Sequence, residues 1–154
     1  MKFNAREDIE APIDVVFARL TDFDQFERQA LRRGASVRRV TNGPVQTGSG
    51  WDIAFTFRGK ERRMRAELAD IEPPNSMRIA FQSSGIMGDT QVDLVQLSPR
   101  RTRLSVSINL SATTLSSRLL LQSFKLARGT IAQRFKKRVA SFADDVADKY
   151  NSGL

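Results

Sequence analysis

The chain has 154 residues, 40% of them apolar and 27% charged, and carries 25 basic against 17 acidic side chains, a net charge of +8. This length and balance fit one globular domain, residues 1–154, able to bury roughly 68–70% of its unfolded surface without a staple. Cys and His are absent, which excludes disulfides, thiolate catalysis, Cys- or His-ligated metal and every Ser-His or Cys-His dyad.

Phe3 to Ile9 alternates as a strand. Ala11-Pro12 changes the period. Pro12 suits a helix start, where its missing N–H costs nothing, and Ile13, Val16, Phe17 and Leu20 follow at helical spacing. Asp22 caps a second short helix, Phe23 to Arg33, ended by Gly34. The pattern then turns to strands for about eighty residues. Val37 to Val40 is short, and turn residues at 42–44 and 48–50 follow it. Trp51, Ile53, Phe55 and Phe57 alternate strictly with Asp52, Ala54 and Thr56. A hairpin tip at Gly59-Lys60 leads into Arg62 to Ile71, with Met64, Ala66 and Leu68 on one face and Arg63, Arg65 and Glu67 on the other. Met77, Ile79 and Phe81 begin the next strand, broken by Ser83–Gly85 and Gly88-Asp89. Val92 to Leu97 and Leu104 to Leu110 complete the set.

From Leu115 to about Asn151 the period is helical, with Thr114 or Ser116 as cap. Steps of about 100° gather Leu120, Leu121, Phe124, Ile131, Phe135, Val139, Phe142 and Val146 on one stripe. The fold class is therefore α+β: a curved antiparallel sheet wrapped around a long C-terminal helix, with two short helices after the first strand. A sheet apolar on one face needs a cover, and only the long helix can supply it. A sheet curled around one helix can leave a hole suited to a small molecule.

The charge is uneven. Residues 101–154 carry ten basic groups and three acidic ones, and no acid occurs from Gln96 to Ala143. Such a field attracts anions. Met1 to Glu10 alternates charge without an apolar core, unlike a signal peptide, and no apolar run reaches 18 residues. The expectation is a cytoplasmic protein.

Three stretches carry a family resemblance. IEAPIDVVFARLTDFDQFE (residues 9–27), GSGWDIAFTFRGKERRM (48–64) and IEPPNSMRIAF (71–81) resemble the START-like, or SRPBCC, superfamily of helix-grip proteins. That group includes polyketide cyclase/dehydrase-like, Bet v 1-type and coenzyme-Q-binding proteins. The resemblance spans nearly the whole chain and implies a hydrophobic cavity for lipids, polyketides, quinones or hormones. It transfers no catalytic residue set, and fold alone does not dictate function.

Candidate ligand-binding residues follow from the stripes. Trp51, Ile53, Phe55 and Phe57, continued by Met77, Ile79 and Phe81, are either a cavity wall or filled core. Phe124 and Ile131 face them from the long helix. Arg128 falls within the helix's apolar stripe, about 40° from Phe124 and about 20° from Phe135. It is either an anchor for an acidic headgroup, an ion-pair partner of Glu67 or Asp93, a chain snorkelling along the helix edge, or misphased by a disturbance at Gly129. Residues 84–88 form an apolar loop between glycines, a connection or a gate. Arg134, Lys136, Lys137 and Arg138 suit a solvated face or an anionic membrane surface. Nucleic acid is disfavoured, because no exposed aromatics interleave the basic residues.

The reading is binding, with transport as its extension, of a small hydrophobic or amphipathic ligand such as a lipid, quinone or polyketide. No cofactor, metal or catalytic residue is expected. Two alternatives stand: a cyclase or dehydratase using the same cavity, and a basic module binding RNA, the ribosome or an anionic membrane. Ligand identity and oligomeric state are not legible.

Overall fold

The computed structural model describes residues 1–153. The chain runs β1 (Lys2–Ile9), α1 (Ile13–Leu20), α2 (Phe23–Arg32), β2 (Ser36–Arg39), β3 (Gly50–Phe57), β4 (Lys60–Glu72), β5 (Ser76–Ser83), β6 (Ile86–Ser98), β7 (Arg101–Ala112), α3 (Leu115–Leu126) and α4 (Arg128–Ser152). The seven strands form one antiparallel sheet in the order β1-β7-β6-β5-β4-β3-β2. This is the helix-grip arrangement expected from the sequence.

Local chemistry sets the strand boundaries. The β3–β4 tip is Arg58-Gly59 and the β5–β6 tip is Ser84-Gly85, and all four residues have φ between 50° and 82°. Successive left-handed residues make the tight turn whose twist matches a hairpin. The apolar loop expected over residues 84–88 is thus only two residues long. Ile86 to Gly88 belongs to β6, which leaves no hinged gate there. Register slips at Leu68/Asp70 in β4 and at Gln96/Ser98 in β6 mark bulges, which bend the sheet.

One face of the sheet is apolar on every long strand, and the helices cover it. Residue parity places Phe3, Leu104, Val92, Met77, Leu68 and Trp51 on that face, all buried. Two contacts fix α4 along β1. Arg128 Nη2 donates to the Lys2 carbonyl at 3.3 Å, and Asn151 Nδ2 donates to the Glu10 carbonyl at 3.2 Å. The helix therefore runs along β1 with its start over the strand's start and its end over the strand's end. Val139, Ala143 and Val146 are its buried contacts. At that same end Thr102 is fully buried, and its hydroxyl donates to the Ala11 carbonyl at 2.8 Å.

The expected single C-terminal helix is two. Thr114 caps α3 through a capping box with Ser117, and Ala127 ends α3 and starts α4 with non-helical φ −99° and ψ 15°. Ala127 itself is neither Gly nor Pro, and Gly129 in the first turn of α4 is the one residue in the sequence that hints at the break.

Candidate ligand cavity

Between the sheet and the helices lie two apolar lobes. The larger, about 500 Å³, is walled by Trp51, Ile53, Met77 and Ile79 from the sheet, Phe23 and Phe26 from α2, and Phe135 and Phe142 from α4. The smaller, about 330 Å³, is walled by Phe55 and Phe57 from β3, Leu120 and Phe124 from α3, and Ile131 from α4. Met64, Phe81 and Phe135 border both lobes. These three side chains form the partition. Both volumes fall in the range of small-molecule sites.

The partition depends on a glycine. Phe81 pairs with Gly88 across the strands, and a β-carbon at Gly88 would lie 2.2 Å from the Phe81 ring. The ring therefore rests directly on the backbone of β6, which only Gly permits.

Polar groups enter the larger lobe mainly at its α2 border. Glu27 Oε1 accepts from the Trp51 indole N–H at 2.9 Å and from Arg39 Nε at 2.6 Å, and Arg39 also pairs with Asp24. Desolvation disfavours the charged carboxylate of Glu27. The hydrogen bonds from Arg39 and Trp51 outweigh it and hold the pKa below the ordinary value. Phe23 stacks at a tilt on Trp51, with centroids 5.3 Å apart. This clamp ties α2 to the sheet and fixes Trp51 in the cavity wall.

The smaller lobe holds one unmatched polar atom. Nε of Arg62 is buried and has no hydrogen-bond partner, and Arg62 makes no ion pair among the described residues. A buried guanidinium N–H without an acceptor is costly. Arg62 stands opposite Phe55 in the β3–β4 register, on the face shared with Met64, Ala66 and Leu68. Alternation through β4 is the sequence signal for it, and the basic residues on either side of the hairpin mask that signal.

The structure brings nine of the ten candidate residues to the cavity. Trp51, Ile53, Met77 and Ile79 line the larger lobe, Phe55, Phe57, Phe124 and Ile131 the smaller, and Phe81 both. Arg128 is the correction, because it lines neither lobe. It is exposed, bonded to the Lys2 carbonyl, with its guanidinium 5.9 Å from the Phe3 ring centroid. The helical wheel assumes one straight axis, and the axis breaks at Ala127. Within α4 Arg128 keeps the phase of Phe135, but as the first residue of the helix it runs out along the helix edge past Phe3 to the Lys2 carbonyl, the snorkelling alternative.

Other features lie outside the cavity. A trough of about 820 Å³ on the opposite sheet face is lined by Arg38, Asp52, Arg63 and Arg65. There the hydrogen bond from Arg65, with help from Arg38, holds the Asp52 carboxyl below its ordinary range. Its ion-paired lining marks it as a polar surface. Arg134, Lys136 and Lys137 are exposed on α4, and Arg138 reaches the border of the larger lobe. Among the described residues, no helix is long and apolar enough to cross a membrane, and no three acidic side chains gather to hold a metal.

Comparison with known proteins agrees with this geometry. The Zhui aromatase/cyclase from Streptomyces sp. R1128 superposes with a TM-score of 0.69 at 12% identity, covering 97% of this chain and 95% of that one. A protein from Thermus thermophilus gives 0.62 at 16% identity, over 95% and 97% of the two chains. An HSP90 activator from Plasmodium falciparum gives 0.51 at 19%, over 71% and 72%. At these identities the likeness is one of fold. No curated protein is similar enough in sequence to count as a relative. The sequence profile of one family matches residues 1–148, and with it the chain belongs to the polyketide cyclase / dehydrase and lipid transport family.

Proposed function

We propose that residues 1–154 act as one domain that binds and carries a small amphipathic ligand. Its apolar body would occupy the two lobes, and its acidic or acceptor end would meet Arg62. The reading is carried by one observation: a buried, unpartnered guanidinium N–H in the wall of an otherwise apolar lobe. A charged acceptor there would gain a short charge-assisted hydrogen bond where no protein acceptor competes. The family's description, which spans cyclases and lipid transport, supports a ligand of lipid, quinone or polyketide type. Trp51, Ile53, Met77 and Ile79 would hold one part of the ligand, and Phe55, Phe57, Phe124 and Ile131 the other, with Phe81 between. A cyclase would need an acid or base free to act in the same cavity. Glu27, the carboxylate at the larger lobe, is committed to Trp51 and Arg39 and held ionised, which favours binding over cyclisation.

The test is calorimetric titration with dodecanoate and with dodecanol. Both should bind, the acid at least about tenfold more tightly. Arg62→Met should erase that preference and leave dodecanol binding intact. Failure of both probes to bind would sink the cavity reading. Equal affinities in the unaltered protein would sink only the role of Arg62.

A further inference from the structure

Helix α3 is apolar on two opposite faces. Its inner face places Leu120 and Phe124 against the smaller lobe. Its outer face carries Leu115, Leu119 and Leu126, which are 75%, 65% and 92% exposed. At 3.6 residues per turn these three fall within an arc of about 40°. Single exposed leucines are ordinary, but three along one helix line make a patch that asks for a partner.

The charge around the patch has one sign. Arg118 and Lys125 are exposed along one side of the leucine line, and α3 contains no acidic residue. Beside it, Arg58 at the β3–β4 tip donates from Nη1 to the Ser123 hydroxyl at 2.9 Å, and its guanidinium lies 5.8 Å from the Phe124 ring centroid. Glu61, the acid of that hairpin, is turned to Arg63 at 3.8 Å.

We propose that α3 docks on an anionic phospholipid bilayer. Its three leucines would enter the headgroup boundary, while Arg118, Lys125 and Arg58 meet lipid phosphates. A leucine line flanked by cations is the pattern of an interfacial helix, which combines apolar insertion with attraction to anionic lipid. A second copy of the chain fits poorly, because it would set Arg118 and Lys125 against their own kind. Docking on this face brings the helix that walls the smaller lobe to the lipid surface. The docking itself does not rest on the cavity's having a ligand.

Cosedimentation with vesicles tests it, using phosphatidylcholine alone and phosphatidylcholine with about 30 mol% phosphatidylglycerol. The protein should bind the anionic vesicles at least about tenfold more strongly, and that binding should weaken as salt rises from about 0.1 M to about 0.5 M. The double variant Leu119→Glu with Leu126→Glu should lose about tenfold or more in vesicle binding. Its urea midpoint and its affinity for dodecanol should not change. Vesicle binding by this variant equal to that of the unaltered protein would overturn the proposal, as would indifference to phosphatidylglycerol. Polyglutamate binding as tight as vesicle binding would replace the bilayer with an acidic chain. A dimer in light scattering that the double variant disperses would replace it with a second copy.

Discussion

The two halves of α4 cover the same sheet in different ways. Toward its C-terminus Ala143 and Val146 are buried against a core that includes Ala5, Ile9 and Ala11, while Val139 and Phe142 still border the larger lobe. Compact side chains on the stripe of α4 that faces β1 let helix and strand approach closely, and that stripe is filled. Toward the N-terminus the inward residues are Ile131 and Phe135, which face the open lobes. Bulky side chains meeting at their tips hold the layers apart, and α3 continues the roof. One helix on one sheet thus gives a packed end for stability and a hollow end for a ligand, decided by residue size along one stripe.

Substitutions can sharpen or break this contrast. The largest effect is expected at the packed end, where Ile9→Ala removes a side chain that is 1% exposed. It should cost about 2–5 kcal/mol in urea unfolding, from lost transfer energy and an unrelaxed cavity. Phe135→Ala at the hollow end removes more atoms but should cost only about 2 kcal/mol, since part of the ring already faces open space. It should also merge the lobes and raise affinity for alkanols longer than dodecanol. If Phe135→Ala proves costlier than Ile9→Ala, the division into packed and hollow ends is wrong.

Gly88→Ala should cost about 1 kcal/mol, because the Phe81 ring can swing away from the new β-carbon. The displaced ring moves into one of the two lobes it borders, so dodecanol affinity should fall while a short alkanol is unaffected.

The smallest effect is on acid stability. Glu27 has a folded-state pKa below the ordinary 4.5. Below that value the unfolded chain takes up the proton first, so the clamp's contribution is complete above about pH 4.5 and fades as pH falls through the folded value. Trp51 is the sole tryptophan, so its fluorescence reports the clamp directly. Glu27→Gln should flatten the acid limb of the fluorescence titration, and an unchanged limb would assign it to other carboxylates such as Asp52.

Much of the fold is readable in the sequence because an antiparallel sheet covered on one face writes a period of two. Trp51 to Phe57 and Leu104 to Leu110 show it plainly. The cavity wall is readable for the same reason, since its residues are the sheet's apolar face. Whether that face is filled or hollow is not readable. That depends on how far apart two layers stand, which is fixed by Phe135 and Ile131 meeting residues distant in sequence. Arg62 is legible by parity, but five basic residues between Arg58 and Arg65 read as one solvated cluster. Arg128 misleads because a helical wheel gives a direction from the axis and not where a long side chain ends, and at the first turn of α4 it ends on the Lys2 carbonyl; Gly129 is the residue that hints at the corner beside it.

The pairing of β1 with β7 sets the order in which this molecule can be finished. Lys2 lies opposite Asn109, and the Met1 amino group donates to the Leu110 carbonyl at 2.9 Å. On the ribosome the first strand must wait, unpaired on its β7 side, until its partner, about a hundred residues later, has emerged. The hairpins from β3 to β7 form from neighbours and can assemble meanwhile. Closing so long a loop is entropically expensive and slow. Folding should therefore end with β1 and α4 arriving together, and the stripe where they pack, though it begins with the first residues of the chain, is the last to be made.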